Sequence, residues 1–176
     1  MALTLLDIAI RQTWDGRPCE PAEVVGVRLE LGREALDVFV EAPSFDDPAP
    51  EAPPGALWGL WGFEVVEVFL LGDSARYLEV ELGPHGHHLI LSLEGRRQIV
   101  GRHEPLSCHV TRHDGRWSGH LRLARSLLPE TLRAFNAYAI HGLGDARRYL
   151  AAHPVPGDQP DFHRLEHFAP WPHDPA

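Results

Sequence analysis

The sequence predicts an all-β protein: an antiparallel β-sandwich of the jelly-roll or immunoglobulin-like type with one or two short helices. Short apolar runs recur at spacings of about ten residues, which is typical of sandwiches and barrels. Glycine and proline, 16 residues of each, fall between these runs. Helical periodicity is scarce, so the helices that a parallel α/β fold needs between its strands are missing. We expect one domain over residues 1–176.

Strand positions follow from the spacing of the apolar residues. The predicted strands cover residues 24–31, 35–41, 61–71, 76–82, 87–93, 106–111, 116–123 and 136–140. Residues 61–71 are apolar almost throughout, as expected of a central strand that is covered on both faces. One hairpin turns at Asp114-Gly115, because this pair favours a primed two-residue turn. Three segments interrupt the strands: short helical turns within 124–135, a proline- and acid-rich loop at 42–56, and an irregular tail from residue 153.

Charge and composition narrow the classes of partner and the compartment. The net charge of −9 argues against a nucleic-acid backbone or an anionic membrane surface as the main partner. The N-terminal segment lacks an early basic cluster, so it is a poor signal peptide, and no run approaches the roughly 20 apolar residues of a membrane span. Cys19 and Cys108 form no metal-binding or redox pair, and free thiols are the simpler interpretation. We expect a cytoplasmic protein.

Residues 57–93 carry the most specific pattern, reading LWGLWGFEVVEVFLLGDSARYLEVELGPHGHHLILSL. A tryptophan-containing loop leads into a strand of the form E-x-V-E-V-F-L, a tyrosine opens the next strand, and a P-x-G turn follows. The segments 117–128 and 160–168 and the residue Asn136 continue the pattern in the same order. Together they resemble family 9 carbohydrate-binding modules and their DOMON-like relatives, and most closely a stand-alone branch of that superfamily.

The resemblance implies a jelly-roll or immunoglobulin-like sandwich and a small saccharide as ligand. An arginine usually follows the asparagine of the last strand in this family. Here the run AYAIH stands in its place, so Arg147 or Arg148 would have to serve. The ligand-binding residues that we predict are Trp58, Trp61, Glu64, Glu67, Tyr77, Glu79, Asn136 and Arg148.

Trp58 and Trp61 suit a sugar platform or clamp, because aromatic rings stack on the apolar C–H faces of sugars. The alternative is that one or both plug the end of the sandwich core. The carboxylates of Glu64, Glu67, Glu79 and Glu81 cluster if the strands that carry them are neighbours. Such a row would bind hydroxyls or calcium, or else form a structural ion-pair network. Glu67 lies in line with apolar neighbours and is predicted to be buried.

Other activities have weaker support. A glycosidase needs two carboxylates at a set distance around a cleft, and without a recognisable catalytic motif we predict that the protein is not an enzyme. The run PHGHH offers His87 and His88 as ligands for zinc. Haem would require two histidines, since the only methionine is Met1. A third alternative is a protein-interaction domain, which would have both tryptophans buried and no concave polar pocket.

Overall fold

A computed structural model describes residues 3–172. The strands are β1 Thr4–Ile10, β2 Gln12–Thr13, β3 Val25–Leu31, β4 Ala35–Pro43, β5 Gly55–Ala56, β6 Val65–Gly72, β7 Arg76–Leu82, β8 His87–Glu94, β9 Ile99–His103, β10 Ser107–His113, β11 Arg116–Ala124, β12 Leu132–His141, β13 Arg148–Ala151 and β14 Ala169–Pro170. Short 3-10 turns lie at Pro21–Glu23, Leu60–Gly62, Asp73–Ala75, Arg125–Leu127, Gly144–Ala146 and Leu165–His167. The predicted all-β fold is confirmed. Residues 1–2 and 173–176, with Met1 and the end of the predicted tail, lie outside the described range.

Two sheets form the sandwich. The five-stranded sheet has the order β1-β3-β4-β11-β10. The nine-stranded sheet runs β2-β13-β12-β6-β7-β8-β5, with β14 beside β12 and β9 beside β8. The pairings are antiparallel except for the short contact of β5 with β8. The predicted neighbours β6 and β7 are paired, and so are the predicted hairpin strands β10 and β11.

The main core lies between the two sheets and follows the alternation of each strand. In β3, Val27 and Leu29 are buried in this core, while Arg28 between them is exposed. From the nine-stranded sheet, Val68 and Val80 meet them on adjacent strands. The most voluminous fully buried side chain is the indole of Trp117 on β11.

The outer face of the nine-stranded sheet is buried as well, which explains why β6 is apolar except for Glu67. A second cluster there includes Phe69, Tyr77 and Tyr138, and it is covered by residues 57–63 and by the C-terminal segment, residues 153–168. The tail that was predicted to be irregular therefore packs on the sheet, with little regular structure of its own. These two coverings border the candidate site described below.

The N-terminal strand β1 was not among the predicted strands. Its Ile8 and Ile10 are buried and it pairs with β3, so the alternation in TLLDIAI is that of an edge strand with one buried face. The short strands β9 and β13 were also missed. They lie next to long strands that the sequence does indicate.

Two predicted strand starts differ from the structure by four residues, and the other predicted strand ends lie within two residues. The strand predicted from residue 61 begins at Val65, because Gly59 at φ +83° starts a 3-10 turn that holds residues 60–62. The helical turns predicted within 124–135 reduce to the single turn Arg125–Leu127, and β12 already begins at Leu132. Both cysteines are free thiols. Within residues 3–172, no helix has the length and apolar character that a bilayer span requires.

Close packing of the sheets depends on the missing side chain of Gly119. A Cβ at this position would overlap Cδ2 of Leu82 from the opposite sheet and would lie 3.1 Å from the Trp117 ring. We expect Gly119→Ala to lower the free energy of unfolding by about 1–3 kcal/mol, because overpacking a filled core forces side chains from their rotamers. Gly26→Ala is the matched control on β3, since its Cβ would meet no atom closer than 3.8 Å. Equal losses for the two variants in urea unfolding would contradict this account.

Candidate functional site

A hollow of about 410 Å³ opens on the outer face of the nine-stranded sheet. Its floor comes from β6, β7 and β8, and its walls come from the tryptophan loop, the turn before β9, β13 and the C-terminal segment. The lining residues are Trp58, Trp61, Glu67, Glu79, Leu91, Leu93, Arg97, Ile99, Ile140, Tyr149, Pro160, Phe162 and His163. The hollow thus brings together four of the predicted ligand-binding residues.

Two further depressions of about 550 Å³ lie elsewhere on the described surface. Neither is lined by a tryptophan. Charged side chains on their linings form exposed ion pairs, such as Arg28 with Asp7 and Arg76 with Glu94. Because such pairs are already satisfied by each other and by water, these depressions are weaker candidates for a ligand site.

The two tryptophans stand at the mouth of the hollow. Their side chains are 49% exposed for Trp58 and 41% for Trp61, and their rings meet edge to face with centroids 5.0 Å apart. The guanidinium of Arg102 lies 3.9 Å from the centre of the Trp58 ring, a cation–π contact on one face. The exposed rings do not fit the alternative in which both tryptophans plug the core. They also do not fit a protein-interaction domain of the kind marked by buried tryptophans and no hollow.

Three carboxyl groups form a patch beneath the tryptophans. Glu67 on β6 is directly opposite Glu81 on β7, and Glu79 lies two residues from Glu81 on the same face. Their exposed fractions are 3%, 0% and 4% in the order Glu67, Glu81, Glu79. One oxygen of Glu79 and both oxygens of Glu81 have no hydrogen-bond donor within residues 3–172. The predicted burial of Glu67 is confirmed.

Burial makes these carboxyl groups weaker acids than exposed glutamate side chains. Loss of hydration raises the pKa of Glu67 and of Glu81 well above the usual range, and the neighbouring carboxylates raise both further. Burial also raises the pKa of Glu79 to about 7. The patch therefore retains part of its protons at neutral pH, and a proton on Glu81 can be donated to Glu79. A protonated carboxyl both donates and accepts hydrogen bonds, which suits a ligand with hydroxyl groups.

The C-terminal segment is held against the sheet by a short series of hydrogen bonds. The backbone N–H of Arg97 donates to the Tyr77 hydroxyl at 3.1 Å, and this hydroxyl lies 2.7 Å from Nδ1 of His163. Burial, together with nearby arginines, lowers the pKa of His163 to about 4, so the imidazole is neutral and Nδ1 accepts the hydroxyl proton. Asp161 also accepts hydrogen bonds from Arg96 and Arg97. Tyr77, a predicted ligand-binding residue, therefore positions the segment that carries one wall of the hollow.

Two predicted residues form contacts elsewhere. The Glu64 carboxylate accepts the backbone N–H of Phe45 at 3.3 Å, and burial raises the pKa of this carboxyl group. Arg148 forms a two-point ion pair with Glu23, with both N···O distances at 2.8 Å. Neither residue lines the hollow. Of the two arginines left open by the sequence, Arg147 is the one near the site.

Arg147 stabilises the tryptophan loop from behind. Its guanidinium donates to the carbonyl oxygens of Trp61 at 2.7 Å, Phe63 at 3.2 Å and Gly142 at 3.0 Å. Its charge also offsets part of the rise in the pKa of Glu67. Because these donors are used by backbone carbonyls, Arg147 acts as a positioning residue.

Asn136 is fully buried and fully hydrogen-bonded inside the protein. Its amide nitrogen donates to the Tyr138 hydroxyl at 2.8 Å and to the carbonyl oxygen of His153 at 2.9 Å. Its amide oxygen accepts the backbone N–H of Ala137 and of His153. The side chain fastens β12 to the start of the C-terminal segment and does not line the hollow.

The histidines of the PHGHH run are separated. Successive residues of a strand project to opposite faces, so His87 and His88 do not share a ligand. Nε2 of His87 lies 2.8 Å from the carbonyl oxygen of Ala52, whereas Nε2 of His88 lies 3.1 Å from a carboxylate oxygen of Glu104. Within residues 3–172, no group of three or more histidine, cysteine, aspartate or glutamate side chains is placed to hold a metal ion. The proposed zinc site at His87 and His88 and the proposed calcium row therefore have no support in this geometry.

Several lining residues were not predicted from the sequence. Arg97, Tyr149 and Phe162 lie far from the tryptophan loop along the chain, and only the fold brings them to it. Phe162 and His163 belong to the segment 160–168, which carried part of the resemblance. That segment was a signal for a wall of the site, although none of its residues was predicted to bind a ligand.

Comparison with sequences shows close relatives. The chain is 44% identical over 175 residues to the UPF0462 protein C4orf33 homolog of Mus musculus, covering 94% of this chain and 91% of that protein. It is 44% identical over 172 residues to the UPF0462 protein C4orf33 of Homo sapiens, covering 93% and 86%. The homolog of Danio rerio is 42% identical over 172 residues, covering 93% and 87%. No family model matches the sequence.

Comparison with solved structures supports a carbohydrate-binding-module-like fold. A Bacteroides uniformis protein that is provisionally described as carbohydrate-binding superposes with a TM-score of 0.70 at 13% identity, covering 96% of this chain and 85% of that one. A family 9 carbohydrate-binding module of Caldicellulosiruptor kristjanssonii, solved with cellotriose, gives a TM-score of 0.53 at 11% identity, covering 85% and 73%. At these identities the likeness concerns the fold.

Proposed function

The chain belongs to the UPF0462 family, and we propose that this member is a non-catalytic domain that binds a small saccharide in the hollow below Trp58 and Trp61. The observation that carries the proposal is the meeting of two exposed indole rings and a patch of buried carboxyl groups in one cavity. The fold shared with a carbohydrate-binding module gives it further support.

Each part of the hollow has a role in this proposal. The apolar C–H face of a sugar ring stacks on an indole, and Tyr149 and Phe162 provide further aromatic surface. Glu67 and Glu79 accept hydroxyl hydrogens, and when protonated they also donate to hydroxyl oxygens. The volume of about 410 Å³ is in the ordinary range for small-molecule pockets and suits a mono- or disaccharide. Arg102 covers one face of Trp58, so the sugar stacks on the free face or displaces this guanidinium.

Isothermal titration with a panel of mono- and disaccharides tests the proposal. We expect at least one sugar to bind with a Kd below about 10 mM, which corresponds to about −2.7 kcal/mol. Trp58→Ala and Trp61→Ala are each expected to weaken that binding about tenfold, because each removes stacking area. Leu106→Ala serves as the control, since it removes an exposed apolar side chain that does not line the hollow. A panel without any binder, or unchanged affinity in both tryptophan variants, would refute the proposal.

A further inference from the structure

The floor of the hollow contains a hydrogen-bond acceptor that the protein leaves unused. Glu79 is only 4% exposed and lines the cavity, yet its Oε2 has no donor within residues 3–172. Glu67 lies diagonally across the β6–β7 pair and lines the same cavity at 3% exposure. A buried carboxyl oxygen without a partner is unfavourable, and a proton on Glu81 is the donor that the protein itself can offer to Glu79, so donors from a ligand stabilise the arrangement further.

The basic groups around this floor bind elsewhere. The Arg97 side chain pairs with Asp161 at 3.0 Å, and the donors of Arg147 point to backbone carbonyls. The imidazole of His163 is neutral and accepts the Tyr77 hydroxyl proton. Behind the floor, Glu81 adds a third carboxyl group, whose oxygens also have no donor in the part of the chain that the structure describes. Within residues 3–172, none of these carboxyl groups forms an ion pair, so a positively charged ligand group that displaces a proton would provide the missing partner.

The aromatic walls of the hollow also favour a positively charged ligand group, for a separate reason. Indole rings attract cations to their faces through the ring quadrupole, and Trp58 already holds the guanidinium of Arg102 at 3.9 Å. Trp61, Tyr149 and Phe162 add aromatic surface around the same cavity. A ligand cation between these rings and the floor carboxylates would interact favourably with both.

We propose that the hollow selects sugars that carry a protonated amine, and that amino sugars bind in it more tightly than neutral sugars of the same ring. This inference rests on the saccharide site proposed above. The ammonium group donates to the carboxylates of Glu67 and Glu79, while the sugar ring stacks on the indoles. In the empty hollow these carboxyl groups are partly protonated at neutral pH, so an arriving ammonium displaces a proton to solvent. Binding of an amino sugar is therefore accompanied by net release of protons.

Three ligands that share one ring separate charge from shape. Glucose, glucosamine and N-acetylglucosamine carry at C2 a hydroxyl, an ammonium group and a neutral amide. We expect glucosamine to bind at least tenfold more tightly than the other two in isothermal titration at pH 7. Titration in two buffers that differ in ionisation enthalpy counts the protons, and we expect net release of protons with glucosamine and none with glucose.

Matched variants test whether the amine of the sugar binds at Glu79. Glu79→Gln keeps the size of the side chain but removes its charge, and it is expected to reduce the preference for glucosamine over glucose to about twofold, because an amide still exchanges hydrogen bonds with hydroxyl groups but forms no ion pair with an ammonium group. Glu51→Gln, on the exposed loop and outside the lining, should retain the preference. Trp58→Ala should weaken all three sugars together.

The outcomes distinguish the two proposals. Equal affinity for the three sugars would overturn selection of the amine and leave the saccharide site standing. Absence of binding for these three sugars and for the wider panel would overturn the saccharide site and the amine selection with it. Preference for glucosamine that persists in Glu79→Gln would overturn the assignment of the floor as the amine site.

Discussion

Glu81→Gln is expected to stabilise the folded protein at pH 8, by about 1–3 kcal/mol. The carboxyl group of Glu81 is 0% exposed and faces Glu67 directly across the strand pair, and neither of its oxygens has a donor within residues 3–172. Ionising it in place is costly, whereas a glutamine amide is neutral and can donate to the carboxyl groups beside it. Removing a buried group that must stay protonated therefore favours the native state, and the benefit grows with pH.

The wild-type protein should show the corresponding pH dependence. The pKa of Glu79 is about 7 in the folded state against an ordinary value of 4.5, so the folded state keeps a proton that the unfolded chain releases. The free energy of unfolding from this group accordingly falls as pH rises from about 4.5 through 7, by about 3 kcal/mol in all. Glu67 and Glu81 act in the same direction.

Urea unfolding of the wild type, Glu81→Gln and the exposed control Glu51→Gln between pH 5 and pH 8 measures both effects. We expect the stability of the wild type and of the control to fall in parallel as pH rises, and that of Glu81→Gln to fall less. Two outcomes would contradict this account: a Glu81→Gln protein that is less stable than the wild type at pH 8, or one whose free energy of unfolding falls with pH as steeply as that of the wild type. Either would show that ionisation of these carboxyl groups does not destabilise the folded protein.

Glu23→Gln is expected to destabilise the protein by about 2–3 kcal/mol at pH 7. Its carboxylate accepts two hydrogen bonds from Arg148 at 2.8 Å, one from the backbone N–H of Glu20 at 2.8 Å, and lies 3.1 Å from Nε2 of His141. These contacts tie the turn before β3 to the ends of β12 and β13. A glutamine cannot accept them all and leaves Arg148 without its partner.

The pH dependence of this second effect has the opposite sign. The hydrogen bonds from Arg148 lower the pKa of Glu23 to about 2, so its contribution is present above pH 4.5 and is lost as pH falls towards 2. The difference between wild type and Glu23→Gln should therefore shrink between pH 7 and pH 3. Asp73→Asn breaks the exposed pair with Arg133 and should cost less than 1 kcal/mol. A Glu23→Gln loss as small as that of Asp73→Asn would contradict the central role of this carboxylate.

The local pattern of the sequence was sufficient for most of the sandwich. Alternation of apolar residues placed β3, β4, β7 and β11, and continuous apolarity identified β6 as a strand covered on both faces. Alternation also put Glu67 and Glu79 on adjacent strands facing the same way, once β6 and β7 were assumed to be neighbours. These are short-range properties, and the period of a strand encodes them directly.

Other features depend on contacts that the period of a strand does not encode. Arg147 and Arg148 are adjacent in the sequence, yet Arg148 meets Glu23 and Arg147 meets the tryptophan loop. Asn136 follows the family pattern, but in this chain its amide fastens a loop. Whether a polar side chain forms its hydrogen bonds inside the protein depends on which residues the fold places next to it. The alternation in β1 was present in the sequence, and it was missed because two of its three exposed positions, Leu5 and Ala9, are also apolar.

The C-terminal segment helps to shield the buried carboxyl groups of the hollow from solvent. Pro160, Phe162 and His163 of the segment border the cavity in which Glu67 and Glu79 are shielded. When the C-terminal segment leaves the sheet, water hydrates the carboxyl groups, and hydrated carboxyl groups release their protons near neutral pH. Detachment of the segment is therefore coupled to proton release. Low pH accordingly favours the packed segment, and high pH favours its detachment.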